Sequence, residues 1–137
     1  MWWIYVLLSA VFAALTAIFA KIGIKGVDSD LATAIRTVII LILAWGIVLF
    51  KGSAENIGSL TKVIWAFLIL SGCATGLSWI FYFKALQLGK VSQVAPVDKL
   101  SVAIAIALSV IFLGEPLTLK NAMGALLIIG RTFVLIF

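Results

Sequence analysis

Long apolar runs separated by short polar connections fill nearly the whole chain. A helix rises roughly 1.5 Å per residue and the hydrocarbon core of a bilayer is about 30 Å thick, so a run of about 20 apolar residues makes a spanning helix. The chain holds five such runs. Met1 to Ala20 carries no charge, and Leu31 to Phe50 carries only Arg36. Between them lies a polar turn containing Lys21, Gly23, Lys25, Gly26 and Asp28, with Ser29 or Asp30 placed to cap the second helix. A polar connection from Lys51 to Thr61 or Lys62 leads to a third helix from Val63 to Leu86 or Leu88, which Gly89 ends as a C-cap glycine. The last helix runs from Leu119 to Phe137, interrupted only by Arg131.

The fourth span is less regular. Its uncharged stretch, Leu100 to Leu113, reaches only about 21 Å as a helix, short of the roughly 30 Å required, so it must begin earlier. Two starts fit. Pro96 can occupy the first helical position with Asp98 in the first turn, which suits both the proline preference and the helix dipole. Alternatively the helix begins near Val91, Pro96 is an interior kink, and Asp98 and Lys99 lie well below the membrane surface. Gly114, Glu115 and Pro116 close the segment.

Five crossings leave the two ends of a chain on opposite sides of the membrane. A second copy inserted upside-down then supplies an inverted repeat, the architecture of many secondary transporters. The expected fold is all-α: an integral membrane protein with five transmembrane helices, one half of a ten-helix inverted-repeat transporter.

Composition agrees, with 65% hydrophobic and 11% charged residues and a mean hydropathy of +1.32. Such a chain belongs in a lipid bilayer. No Pro/Gly/Ser linker or low-complexity tract divides it, so residues 1–137 read as one domain. The net charge is +5, but the ten Lys and Arg residues are scattered singly, mostly at the borders of apolar runs. They read as snorkelling anchors and topology signals, with no nucleic-acid surface. Cys73 is the single cysteine and lies inside an apolar run, and histidine is absent. No disulfide or Cys-rich metal site can form within one chain, and hydrolytic or metal-dependent chemistry has no obvious residues to use. We therefore expect no enzyme, no metal and no cofactor. Met1 to Ala20 lacks a basic leader and a cleavage site, and reads as a retained helix in place of a signal peptide.

Helices in lipid associate through small residues that permit close approach and through polar contacts, so stripes of such residues mark buried faces. Ser9, Ala13, Thr16 and Ala20 form one stripe; Ser71, Thr75, Ser78 and Tyr82 form a second beside Gly72 and Gly76; Asp98, Ser101, Ala105 and Ser109 form a third. Helix packing and a polar central cavity both account for them. Ionisable residues within a span cost about 2.5–3.5 kcal/mol each and usually face a bundle interior or water. The candidates are Arg36, Lys84, Asp98, Lys99 and Arg131; both arginines lie within reach of helix ends and can snorkel, and Lys84 suits an interface. Asp98 is the only acid among them and so the only carboxylate placed to take up a proton.

Those same residues govern orientation. Lys21, Lys25, Arg36, Lys84, Lys90, Lys99 and Arg131 fall on one side against Lys51, Lys62 and Lys120 on the other, seven to three. Set aside Arg36, Lys84, Lys99 and Arg131 as intramembrane, and the balance becomes three to three. Basic residues then specify no single orientation, and dual topology is expected.

The stretch Gly76–Ser101 (GLSWIFYFKALQLGKVSQVAPVDKLS), followed by Phe112 to Pro116 (FLGEP), resembles the EamA-type domain of the drug/metabolite transporter superfamily. Arg36 and the segment from Gly124 to Gly130 fit the same pattern, so the resemblance covers essentially the whole chain. It implies a multi-pass protein of the cell membrane, with two inverted five-helix repeats around a cavity lined by spans one, three and four and their counterparts. The activity implied is export or exchange of a small organic metabolite. Asp98 and Lys99 match positions typical of a bacterial and archaeal subgroup. This chain carries one repeat, so the implied activity requires a partner.

The resulting expectation is an antiparallel homodimer in the lipid bilayer that moves a small-molecule substrate by alternating access. Asp98, Lys99 and Ser101 line the route, Ser78, Trp79 and Tyr82 offer polar and aromatic surface, and Lys84 or Arg36 balances the carboxylate. The alternative is a non-transporting scaffold or subunit of a larger membrane assembly. A four-helix small multidrug exporter fits less well, because the chain has a fifth span and no acid in Met1 to Ala20.

Overall fold

The structure, a computed structural model, describes residues 1–137 and contains helices without strands. Five helical spans are long and apolar enough to cross a membrane. They are α1 (Trp2–Gly23), α2 (Ser29–Phe50), α3 (Lys62–Leu88), the pair α4 (Val91–Asp98) and α5 (Leu100–Phe112) taken together, and α6 (Leu119–Ile136). Leucine, isoleucine and phenylalanine side chains on every span are mostly exposed, as expected where lipid is as apolar as the side chains themselves. Most buried positions are small: Ala17, Ala20, Ala103, Ser29, Thr33 and Thr132, joined by Ile24, Phe83 and Leu86. The chain divides into two compact units, Phe19–Gln87 and Met1–Ile18 with Leu88–Phe137.

Within Phe19–Gln87, α1 continues past the expected Ala20 to Gly23. The Lys21 ammonium donates to the Leu86 carbonyl in the last turn of α3, satisfying an acceptor that a helix end leaves without an amide partner. In return, Gln87 Nε2 donates to the carbonyls of Ile24 (3.2 Å) and Val27 (2.6 Å). These bonds tie the α1–α2 connection to the end of α3. Gly26 turns that connection with φ +72°, a conformation glycine adopts without steric cost.

The cap of α2 differs from expectation. Asp28, not Ser29 or Asp30, is the capping residue, and its carboxylate accepts from the Leu31 amide at 3.1 Å. Ser29 is buried in the first turn, and Asp30 stands in that turn, where its charge suits the dipole. Replacing Asp28 with Ala is expected to cost about 1 kcal/mol, seen as a lower melting temperature in detergent. Asp30→Ala should cost less, and equal losses would contradict the assignment.

In the second unit the fourth span begins at Val91, so Pro96 lies inside α4. Of the two starts that fitted the sequence, the earlier is the one adopted. Proline offers no amide to the Ser92 carbonyl one turn back, and the helix breaks three residues later at Lys99. Across the break the Lys99 amide donates to the Pro96 carbonyl (3.2 Å) and the Val102 amide to the Lys99 carbonyl (3.0 Å). Both are three-residue bonds, tighter than α-helical ones. α5 then ends at Phe112; Gly114, with φ +65°, turns the chain so that the Glu115 amide returns to the Ser109 carbonyl. α3 ends at Leu88, one residue before Gly89. Thr118 caps α6, accepting from the Asn121 amide at 3.2 Å, and α4 and α5 both pack on α6.

Candidate functional site

Arg36 is the eighth residue of α2, about 10 Å along the helix from its start. Its guanidinium carbon lies 4.1 Å from the ring centroid of Phe83 and 5.7 Å from that of Trp79. Both rings come from α3, one turn apart, so their spacing places them on one face. Tyr82 meets Phe83 edge-on, with centroids 5.5 Å apart and planes at 66°. Phe83 is almost fully enclosed, and Arg36 Nη1 is shut off from solvent with no hydrogen-bond partner. The charge is therefore held by aromatic faces while part of its hydrogen-bonding edge is unused.

This cluster brings together three of the expected residues, Arg36, Trp79 and Tyr82, around a residue the sequence reading did not single out, Phe83. The available signal was an aromatic pair at i and i+4, Trp79 and Phe83, beside an arginine in the neighbouring span. Ser78 and Lys84, on the same helix, are exposed.

A second cluster marks the break in the fourth span. α4 has eight residues, so Asp98 and Lys99 lie about 12 Å along the span from its start, away from both ends of the 22-residue stretch Val91–Phe112. The Lys99 ammonium stands 3.9 Å from the Asp98 carboxylate, with both side chains partly exposed. The arrangement suits the two helix ends that meet here: Lys99 follows the negative end of α4 and Asp98 precedes the positive end of α5. Discontinuous helices of this kind form substrate and ion sites in transporters. Ser101, one residue into α5, is exposed.

The hydroxyl stripes are largely self-contained. Thr16 donates to the Phe12 carbonyl, Thr75 to Ser71 and Ser109 to Ile106, each within its own helix. A Cβ added at Gly72 or Gly76 would meet nothing within 4 Å, so no neighbour uses that pair for close approach within one chain. An open pocket among Lys21, Ile24, Lys25, Gly26 and Gln87 belongs to the α1–α2 connection.

Five helical spans long and apolar enough to cross a bilayer make this a multi-pass protein of the cell membrane. The chain belongs to the EamA-like transporter family, whose pattern matches residues 1–137, and that membership points to a non-enzymatic role. A protein of Sinorhizobium sp named an uncharacterized transporter in the cobO 3′region is 47% identical over 134 residues, covering 98% of this chain and 95% of the relative. An uncharacterized protein of Methanocaldococcus jannaschii is 35% identical over 123 residues, covering 90% of this chain and 87% of that relative. No solved structure matches the chain.

Proposed function

We propose that the protein is a secondary transporter of a small organic metabolite, working as an antiparallel homodimer by alternating access, and that it has no catalytic activity. Residues 1–137 act as one five-helix domain, and the second copy supplies the inverted repeat. The observation that carries this reading is the polar face of α3. Ser71, Gly72, Thr75 and Ser78 are exposed in a single chain, and the buried residues of α3 are Phe83 and Leu86, near its C-terminal end. Its small residues, with open space at Gly72, permit the close approach of another helix. An odd number of spans lets a twin of opposite orientation cover it. Family membership and the relative named a transporter support the activity. Asp98, Lys99 and Ser101 at the break, together with Arg36, Ser78, Trp79, Tyr82 and Lys84, contribute to the substrate path.

The test is orientation. A C-terminal tag in right-side-out and inverted vesicles should be accessible from both sides in comparable amounts, and crosslinking should capture oppositely oriented copies. A tag found wholly on one side defeats the homodimer.

A further inference from the structure

We infer that the transported metabolite is an organic anion, and that Arg36 grips its carboxylate or phosphate group. The inference rests on the carrier reading in taking Arg36 to meet the substrate. A guanidinium set over aromatic rings is held through its faces, which leaves the in-plane N–H edge as its recognition surface. In Arg36 part of that edge is enclosed and idle: Nη1 is buried without a hydrogen-bond partner while Phe83 and Trp79 lie against the group. A buried charged donor left unpaired is costly, and a planar oxyanion that accepts two parallel N–H bonds relieves it best.

No residue in the same spans supplies that oxyanion. The acids of Phe19–Gln87 are Asp28, Asp30 and Glu55. Asp28 caps α2, Asp30 stands in its first turn, and Glu55 lies in the 3-10 turn Ser53–Ser59. Beyond the first turn of each span the sequence carries Arg36, Lys84, Lys99 and Arg131 against one acid, Asp98, whose carboxylate is already beside Lys99. The membrane interior thus carries an excess of positive charge that an anionic solute neutralises on entry.

The experiment uses the full chain in detergent and follows its melting temperature at constant ionic strength. The probes are succinate, benzoate and inorganic phosphate, with succinamide and benzamide as uncharged counterparts. The acids should raise the melting temperature of the wild type and of Lys62→Gln, a cation removed outside the cluster, and the amides should not. Arg36→Gln should lose the response, and Arg36→Lys, which keeps the charge without the planar fork, should need about tenfold more carboxylate. The relative strength of carboxylate and phosphate tells which group is preferred. Amides as effective as acids, an Arg36→Lys response equal to the wild type, or no response to any acid would each overturn the inference. Should Arg36→Gln fail to fold, the Arg36→Lys comparison decides alone. Acid binding absent from antiparallel copies defeats this inference and leaves the carrier standing; copies that all lie one way defeat the carrier itself.

Discussion

Phe83→Ala is expected to destabilise the protein by about 4 kcal/mol, far more than truncation of any exposed phenylalanine. In a soluble core part of such a loss is transfer of the side chain from water, but lipid is as apolar as the core, so that part largely drops out. What remains is the cavity, about 24 cal/mol per Å³ over roughly 100 Å³ of lost side chain, or about 2.4 kcal/mol. Phe83 is 1% exposed, so neighbours have little freedom to fill the space. The ring also carries the Arg36 guanidinium at 4.1 Å, a contact worth up to about 2 kcal/mol when desolvated. Phe83→Leu separates the two effects, since it keeps much of the volume and loses only the ring. It should cost about 2 kcal/mol, and a cycle with Arg36→Gln should return a coupling of about 1–2 kcal/mol. Unfolding in mixed micelles measures each variant. A Phe83→Leu protein as stable as the wild type would show that the guanidinium does not rest on the ring.

Why Phe83 escaped the sequence, while the spans did not, follows from the solvent. A bilayer imposes one strong demand, about 20 apolar residues per crossing, and that demand writes every span into the sequence. It also removes the contrast by which a core residue is usually recognised. In α3 a buried Phe83 and an exposed Phe81 stand two residues apart, and hydropathy treats them alike. Arg36 was legible because charge in a span is rare and costly; its aromatic support was half legible, through Trp79.

Polar stripes carried less information than their spacing promised. Thr16, Thr75 and Ser109 close hydrogen bonds onto their own helices, so a hydroxyl at membrane depth needs no second helix to be satisfied. Gln87 shows the converse. It stands in the last turn of α3, and its amide holds the carbonyls of Ile24 and Val27. α1 likewise overruns its apolar stretch by the turn containing Lys21, whose ammonium donates to the Leu86 carbonyl.

Pro96→Ala should move stability and hydration in opposite directions. An interior proline costs about 3 kcal/mol relative to alanine in an undisturbed helix. Here the chain has already adapted by breaking at Lys99, so the recoverable gain is smaller, about 1–2 kcal/mol. With alanine at this position an amide reaches the Ser92 carbonyl, and the three-residue bonds at Lys99 and Val102 can give way to an uninterrupted ladder from Val91 to Phe112. Neighbouring positions on a regular helix point apart, so Asp98 and Lys99 would lose the approach that now brings them to 3.9 Å. The melting temperature should rise. A cysteine placed at Ser101, with Cys73→Ala removing the one native thiol, reports the other effect through its reaction with a membrane-impermeant thiol reagent. Labelling should slow on the order of tenfold for each 1.4 kcal/mol by which the closed helix is favoured. A variant that melts higher yet labels as fast as its parent would show that water reaches the midplane without the break. One that melts no higher would show that Lys99, not Pro96, holds the helix open.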